Sequence, residues 1–70
     1  MGAIALIKVG QRIKIRTGWD INKELDGLKG TITDMNGETV EIQLDSPIEM
    51  FLGKRLTHIH LPKKYVVSAQ

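Results

Sequence analysis

The amino-acid sequence predicts an all-β fold, a small closed barrel of five short strands that forms one domain over residues 1–70. Apolar and polar residues alternate in Val9–Arg16 and again in Thr39–Asp45, which is the pattern of strands with one buried face. A Gly-x-x-Gly run over residues 27–30 opens a further strand, and Asn36-Gly37 is a strong hairpin signal. A chain of 70 residues is long enough for one domain with one core.

The strands follow one another with few residues between them. A long polar loop, Thr17–Asp26, follows the first strand, and an apolar insert, Pro47–Leu52, follows the third strand, which Ser46-Pro47 is expected to end. Pro62–Tyr65 is predicted to form a one-turn helix before the last strand. The predicted strands are Val9–Arg16, Thr31–Asp34, Thr39–Asp45, Thr57–Leu61 and Val66–Ser68.

The register of the central hairpin can be predicted from burial. A two-residue loop of Asn36-Gly37 would place Ile32 opposite Glu41, on the wrong face from Val40. A three-residue loop, residues 35–37, pairs Ile32 with Val40 instead, and it places a bulge at the glycine. We therefore expect the three-residue loop.

Composition restricts the function more than it identifies it. The chain has no cysteine and a net charge of +2, which permits nucleic-acid binding without arguing strongly for it. No serine lies in a plausible nucleophile context and no glycine-rich loop matches a phosphate cradle, so we expect a non-enzymatic binding module without cofactor or metal. The apolar run Ala3–Ile7 is too short to span a membrane, which favours a cytoplasmic protein without a membrane partner. We also expect no small-molecule substrate.

Two resemblances follow from these motifs. The run from Leu61 to Val67 resembles the Leu/Ile-Pro-x-x-Tyr-Val ending of Src-homology-3 domains, which implies an SH3-like barrel in which Pro62 and Tyr65 line a ligand groove. The segment from Gly10 to Leu44 resembles a KOW motif of ribosomal proteins and elongation factors, which implies RNA binding. The residues that match the KOW pattern are Gly10, Ile13, Ile15, Gly27, Gly30, Ile32, Val40 and Ile42.

A basic row on the first strand is the candidate nucleic-acid interface. Side chains at alternate strand positions lie about 6.7 Å apart, a spacing that can follow phosphates along a single strand. Trp19, in the long loop, could stack a base beside this row, or else fold over the barrel end and cap the core. The row itself has a second interpretation as a solvated outer face. The candidate nucleic-acid-binding residues are Arg12, Lys14, Arg16, Trp19 and Lys29.

Apolar residues outside the predicted strands are the candidate protein interface. Methionine and aromatic residues on a loop often mark a contact with another protein or with a second copy of the chain, although the insert could also close the barrel as a lid. The candidate protein-binding residues are Trp19, Met50, Phe51 and Tyr65. The alternative for Tyr65 is a structural role in the turn that precedes the last strand.

The charges favour protein binding slightly over RNA binding. The acidic residues Glu41 and Asp45 alternate on the outer face of the third strand, where we expect them to lie beside the basic row and weaken its positive potential. His58 and His60 share the outer face of the fourth strand, either as surface histidines or as two ligands of an incomplete metal site. The favoured function is therefore a protein-binding adaptor or accessory subunit, and the alternative is an RNA or single-strand binding module.

Overall fold

One antiparallel sheet makes up most of the domain. A computed structural model describes residues 7–18, 23–49 and 53–69. Within these residues the strands lie in the order β4-β3-β2-β1-β5, and short 3-10 helices occupy Lys23–Leu25 and Lys63–Tyr65. The strands are β1 (Arg12–Ile15), β2 (Lys29–Asn36), β3 (Thr39–Glu49), β4 (Arg55–Pro62) and β5 (Val66–Ser68). The all-β class and the single helical turn before the last strand are confirmed.

The core lies on one face of this sheet. Ile13 and Ile15 on β1 are fully buried, as the alternation of the first strand predicts, and Val40 and Ile42 on β3 are buried equally completely. Apolar burial of this kind is the main force that holds a small domain together. The remaining buried apolar residues are Leu25, Ile32, Leu44, Ile59, Leu61, Tyr65 and Val66.

The central hairpin has a register different from the predicted one. Asn36 pairs with Thr39 and Met35 with Val40, so the turn contains only Gly37 and Glu38. Gly37 has φ +63°, a left-handed conformation that glycine adopts without steric cost. The predicted three-residue loop is wrong, and so is the pairing of Ile32 with Val40.

A bulge inside β2 explains how this shorter turn keeps the core intact. The pairing shifts between Ile32, which lies opposite Ile42, and Asp34, which lies opposite Glu41. Thr33 is therefore the extra residue, and its hydroxyl donates to the Glu41 carbonyl oxygen at 3.3 Å. Because the bulge changes the alternation, Ile32 is buried and Met35 is partly buried against the same core.

Strand β3 runs past Pro47, where the sequence predicted its end. The β3–β4 pairing shifts between Gln43 and Ile48, and a second paired stretch joins Ile48 to Leu56 and Glu49 to Arg55. Pro47 lies in the gap between these stretches, where β4 requires no N–H from it. The first part of the apolar insert therefore extends the β3–β4 hairpin.

The second glycine of the Gly-x-x-Gly run lies where two strands approach closely. A Cβ atom built on Gly30 would lie 2.5 Å from the Gln43 carbonyl oxygen and 2.7 Å from Ile42 Cγ2. Gly30 pairs with Ile13 on β1 and with Leu44 on β3, so it lies in the middle of the sheet. The motif thus allows β2 to pack against β3 at short distance.

Candidate binding surfaces

The outer face of the sheet, opposite the core, brings several predicted residues together. Strand register aligns Arg12 with Thr31 on β2, and Thr31 with Gln43 on β3. Two residues along the strands, Lys14 lies directly opposite Lys29. Three of the five residues predicted to bind nucleic acid therefore share one surface.

The first residue of the basic row is held by a carboxylate. Arg12 donates through both terminal nitrogens to the two oxygens of Asp45, at 2.5 Å each, and through Nη1 to Thr31 Oγ1 at 3.1 Å. Paired contacts of this geometry are the strongest that arginine makes with a carboxylate. The prediction that Asp45 lies beside the basic row is confirmed, and the two terminal nitrogens of Arg12 are engaged by this carboxylate.

The same pair shifts two ionisation equilibria in the expected directions. The hydrogen bonds from Arg12 lower the pKa of the Asp45 carboxyl below its ordinary value of 3.8, and the nearby charges of Arg12 and Lys29 lower it further. In return, the hydrogen bonds with Asp45 raise the pKa of the Arg12 guanidinium above its ordinary value. Both groups are solvent-exposed, so added salt screens their attraction.

Lys14 and Lys29 form the more available part of the basic row. They lie opposite each other across β1 and β2, and no carboxylate among the described residues lies within ion-pair distance of either Nζ. Arg16 is exposed just beyond the end of β1, where its N–H donates to the Tyr65 carbonyl oxygen at 2.7 Å. A surface of two adjacent lysines remains on this side of the sheet.

One member of the predicted protein interface can be located. The side chain of Tyr65 belongs to the core and exposes only 8 % of its surface, with Lys64 Nζ 5.2 Å from the ring centroid. Burial of the ring supports the structural interpretation, and its role in docking stays a prediction. Trp19, Met50 and Phe51 lie outside the described residues.

The two histidines lie exposed on β4. His58 Nδ1 is 2.9 Å from Thr57 Oγ1, and His60 Nε2 is 3.5 Å from Glu41 Oε2. Glu41 also accepts a hydrogen bond from Thr33 through its other oxygen. Within the described segments, no three histidine, cysteine or acidic side chains are placed to hold a metal ion.

The long loop after β1 is held by a carboxylate that the sequence did not single out. Asp26 Oδ1 accepts from the backbone N–H groups of Thr17 and Gly18, at 2.9 and 3.3 Å. No local pattern predicts this contact, because the two N–H groups lie nine and eight residues before Asp26 in the sequence. The side chain fixes both ends of the segment that contains Trp19.

Comparison with known proteins does not assign this surface. No protein-family model, curated protein or solved structure matches the chain. In the described parts of the chain, no helix is long and apolar enough to cross a bilayer.

Proposed function

We propose that this chain is a small non-enzymatic protein-binding module, acting as an adaptor or accessory subunit, and that its sheet belongs to an SH3-like barrel. The strand order β4-β3-β2-β1-β5 and the 3-10 helix at Lys63–Tyr65 support the barrel. The run from Leu61 to Val67, which resembles the Src-homology-3 ending, spans that helix and supports the same assignment.

The occupied guanidinium of Arg12 is the observation that carries the choice of protein over nucleic acid. A surface selected for phosphate contacts keeps its arginines available, because each contact releases a counterion and adds affinity. Here Asp45 accepts hydrogen bonds from both terminal nitrogens of Arg12. Glu41 belongs to the same strand, where Glu41, Gln43 and Asp45 occupy alternate positions. Carboxylates among the cations of this face weaken the positive potential that a nucleic acid would need.

RNA or single-strand binding is the second candidate function, because Lys14 and Lys29 lie side by side. These two paired lysines, neither of them within ion-pair distance of a described carboxylate, form a small positive patch. With Arg16 and Trp19 nearby in sequence, this patch is where a single strand would bind.

A near-isosteric change on β3, which removes one negative charge, separates the two functions. The Asp45→Asn variant frees Arg12, so an RNA-binding face should bind a labelled mixed-sequence RNA more tightly, whereas a protein-binding face should show no saturable RNA binding at physiological salt. Asp34→Asn removes the same charge from an exposed position on β2 and serves as the matched control. Fluorescence anisotropy at low and physiological salt measures both variants.

RNA binding that falls as a power of salt concentration, and that Asp45→Asn strengthens more than Asp34→Asn does, would overturn the protein-binding proposal. The positive test is affinity capture with quantitative mass spectrometry. A specific partner should be lost from the Met50→Asp, Phe51→Asp variant and retained by the Arg12→Glu, Lys14→Glu variant.

A further inference from the structure

The outer edge of β4 is the longest unpaired strand edge in the described sheet. Among the described strands β4 has one neighbour, β3, and it runs for eight residues, Arg55–Pro62. At the opposite edge, β5 has only three residues. An edge of this length presents backbone groups to which another extended chain can add.

The register shows which backbone groups point outward. Pro62 lies opposite Thr39 and has no N–H, and the next residue, Lys63, donates its N–H to the Glu38 carbonyl oxygen at 2.7 Å. Thr39 and Pro62 therefore form a non-hydrogen-bonded pair, and such pairs alternate along an antiparallel ladder. Because the register continues unbroken to Gln43, the N–H and C=O groups of His60 and His58 point away from β3.

The charges at the ends of this edge are of one sign. Residues 54–64 contain lysine or arginine at Lys54, Arg55, Lys63 and Lys64, and no aspartate or glutamate. Glu41 and Glu49, opposite His60 and Arg55, belong to β3, the strand on the other side of β4 from its free edge. An added chain would therefore meet positive charge at both of its ends.

This charge distribution disfavours a second copy as the occupant. Antiparallel pairing of β4 with its own copy would bring the cations at its start beside those at its end, and like charges in neighbouring strands are destabilising. An acidic chain gains the opposite interaction at both ends. Charge complementarity therefore selects among the possible occupants.

We propose that the β4 edge, residues 54–64, binds an extended acidic segment of a partner protein by strand addition, with His58 and His60 supplying the backbone hydrogen bonds. This inference rests on the proposed protein-binding function and adds the site and the chemistry of the partner. An eight-residue strand spans about 26 Å, so the bound segment has about nine residues with acidic residues at both ends.

The test uses the full chain and a fluorescein-labelled peptide of about nine residues, acidic at both ends with alternating Thr and Val between. His60→Pro removes an outward N–H without removing a β3–β4 hydrogen bond, and it should weaken binding about fivefold or more. His60→Ala is the matched control and should bind as the wild type does. Urea midpoints and circular dichroism establish that both variants are folded.

The charge requirement is tested in parallel. Lys54→Glu should weaken peptide binding severalfold, whereas Lys8→Glu makes the same charge change at an exposed position near the start of the described chain and should leave it unchanged. A peptide with lysine in place of each acidic residue should not bind. Equal losses in Lys54→Glu and Lys8→Glu would indicate unspecific attraction and overturn the proposal.

Other results overturn the edge site in distinguishable ways. Absence of peptide binding, or equal binding by wild type and His60→Pro, excludes strand addition at this edge. Sedimentation equilibrium that shows a wild-type dimer, absent from His60→Pro, assigns the edge to a second copy. A protein partner captured equally by wild type and His60→Pro refutes the edge alone, whereas salt-dependent RNA binding refutes the protein-binding function on which it rests.

Discussion

Replacing Gly30 by alanine should remove much of the stability of this domain. The added Cβ would lie 2.5 Å from a backbone oxygen of Gln43 and 2.7 Å from Ile42 Cγ2, both well below the 3.4 Å at which ordinary contact begins. Overpacking of this kind costs about 1–3 kcal/mol. A domain of this size has only about 3–5 kcal/mol from its core. A loss of about 2 kcal/mol lowers the equilibrium constant for folding about thirtyfold.

Urea unfolding followed by circular dichroism measures this loss. With a slope of about 1 kcal/mol per molar urea, the midpoint of Gly30→Ala should fall by about 2 M. Gly37→Ala tests backbone conformation alone, because Gly37 has φ +63° and open space around it, and Gly37→Asn should recover most of its loss. A midpoint for Gly30→Ala equal to or above the wild-type value would refute the close approach of β2 to β3, since alanine in an open strand position is stabilising.

Three further substitutions test the core and the outer face. Ile42→Ala should lower the free energy of unfolding by about 2–5 kcal/mol in urea titrations, whereas Gln43→Ala, exposed on the same strand, should change it by less than about 0.5 kcal/mol. Tyr65→Ala should leave much of the protein unfolded at 25 °C by circular dichroism, and Tyr65→Phe, which keeps the ring, should retain the fold; a folded Tyr65→Ala would contradict the buried placement. Asp45→Asn should lower the urea midpoint at pH 7. Because the folded-state pKa of Asp45 is lowered, its contribution is complete above the ordinary value of 3.8 and is lost as pH falls through the folded-state value, so the two midpoints should converge in acid.

Alternation of apolar residues predicted the two faces of the sheet well. Ile13 and Ile15 are buried as expected, and the outer-face positions of His58 and His60 follow from the same period of two. The prediction succeeds because a strand with one buried and one solvent-exposed face cannot shift its register by one residue without exposing its buried side chains. The class of fold and the strand order along the chain therefore follow from local patterns.

The register of the β2–β3 hairpin could not be predicted in this way, because the alternation of buried and exposed residues does not show where a bulge lies. Both the predicted and the observed pairings put Ile32 and Val40 on the buried face. They differ in whether the extra residue lies at the turn or inside β2, and in the partner of Ile32, which is Ile42 instead of Val40. The observed pairing also places Met35 against Val40, so Met35 is partly buried. The partial burial of Met35 depends on three-dimensional packing, which cannot be deduced from the alternation of residues along a strand.

The candidate binding surface was also predictable from the sequence only in part. Sequence parity placed Asp45 on the outer face, near the basic row, but which cation it would hold depends on how β1, β2 and β3 coil past one another. The structure pairs it with Arg12 across two strand spacings. The open edge of β4 could not be predicted from the sequence either, because strand order in the sheet is a property of the whole fold.

The bulge at Thr33 also determines where this hairpin can change in length over evolution. Deleting one residue from a strand ordinarily turns every later side chain to the opposite face. Ile32 and Met35 both face the core although two exposed residues, instead of one, lie between them. The bulge has therefore already produced one such change of face. A gene that lost the codon for Thr33 would encode Ile-Asp-Met, a plain alternation with the same residues facing the core. The hairpin can therefore exist in two lengths that share one interior and differ in twist.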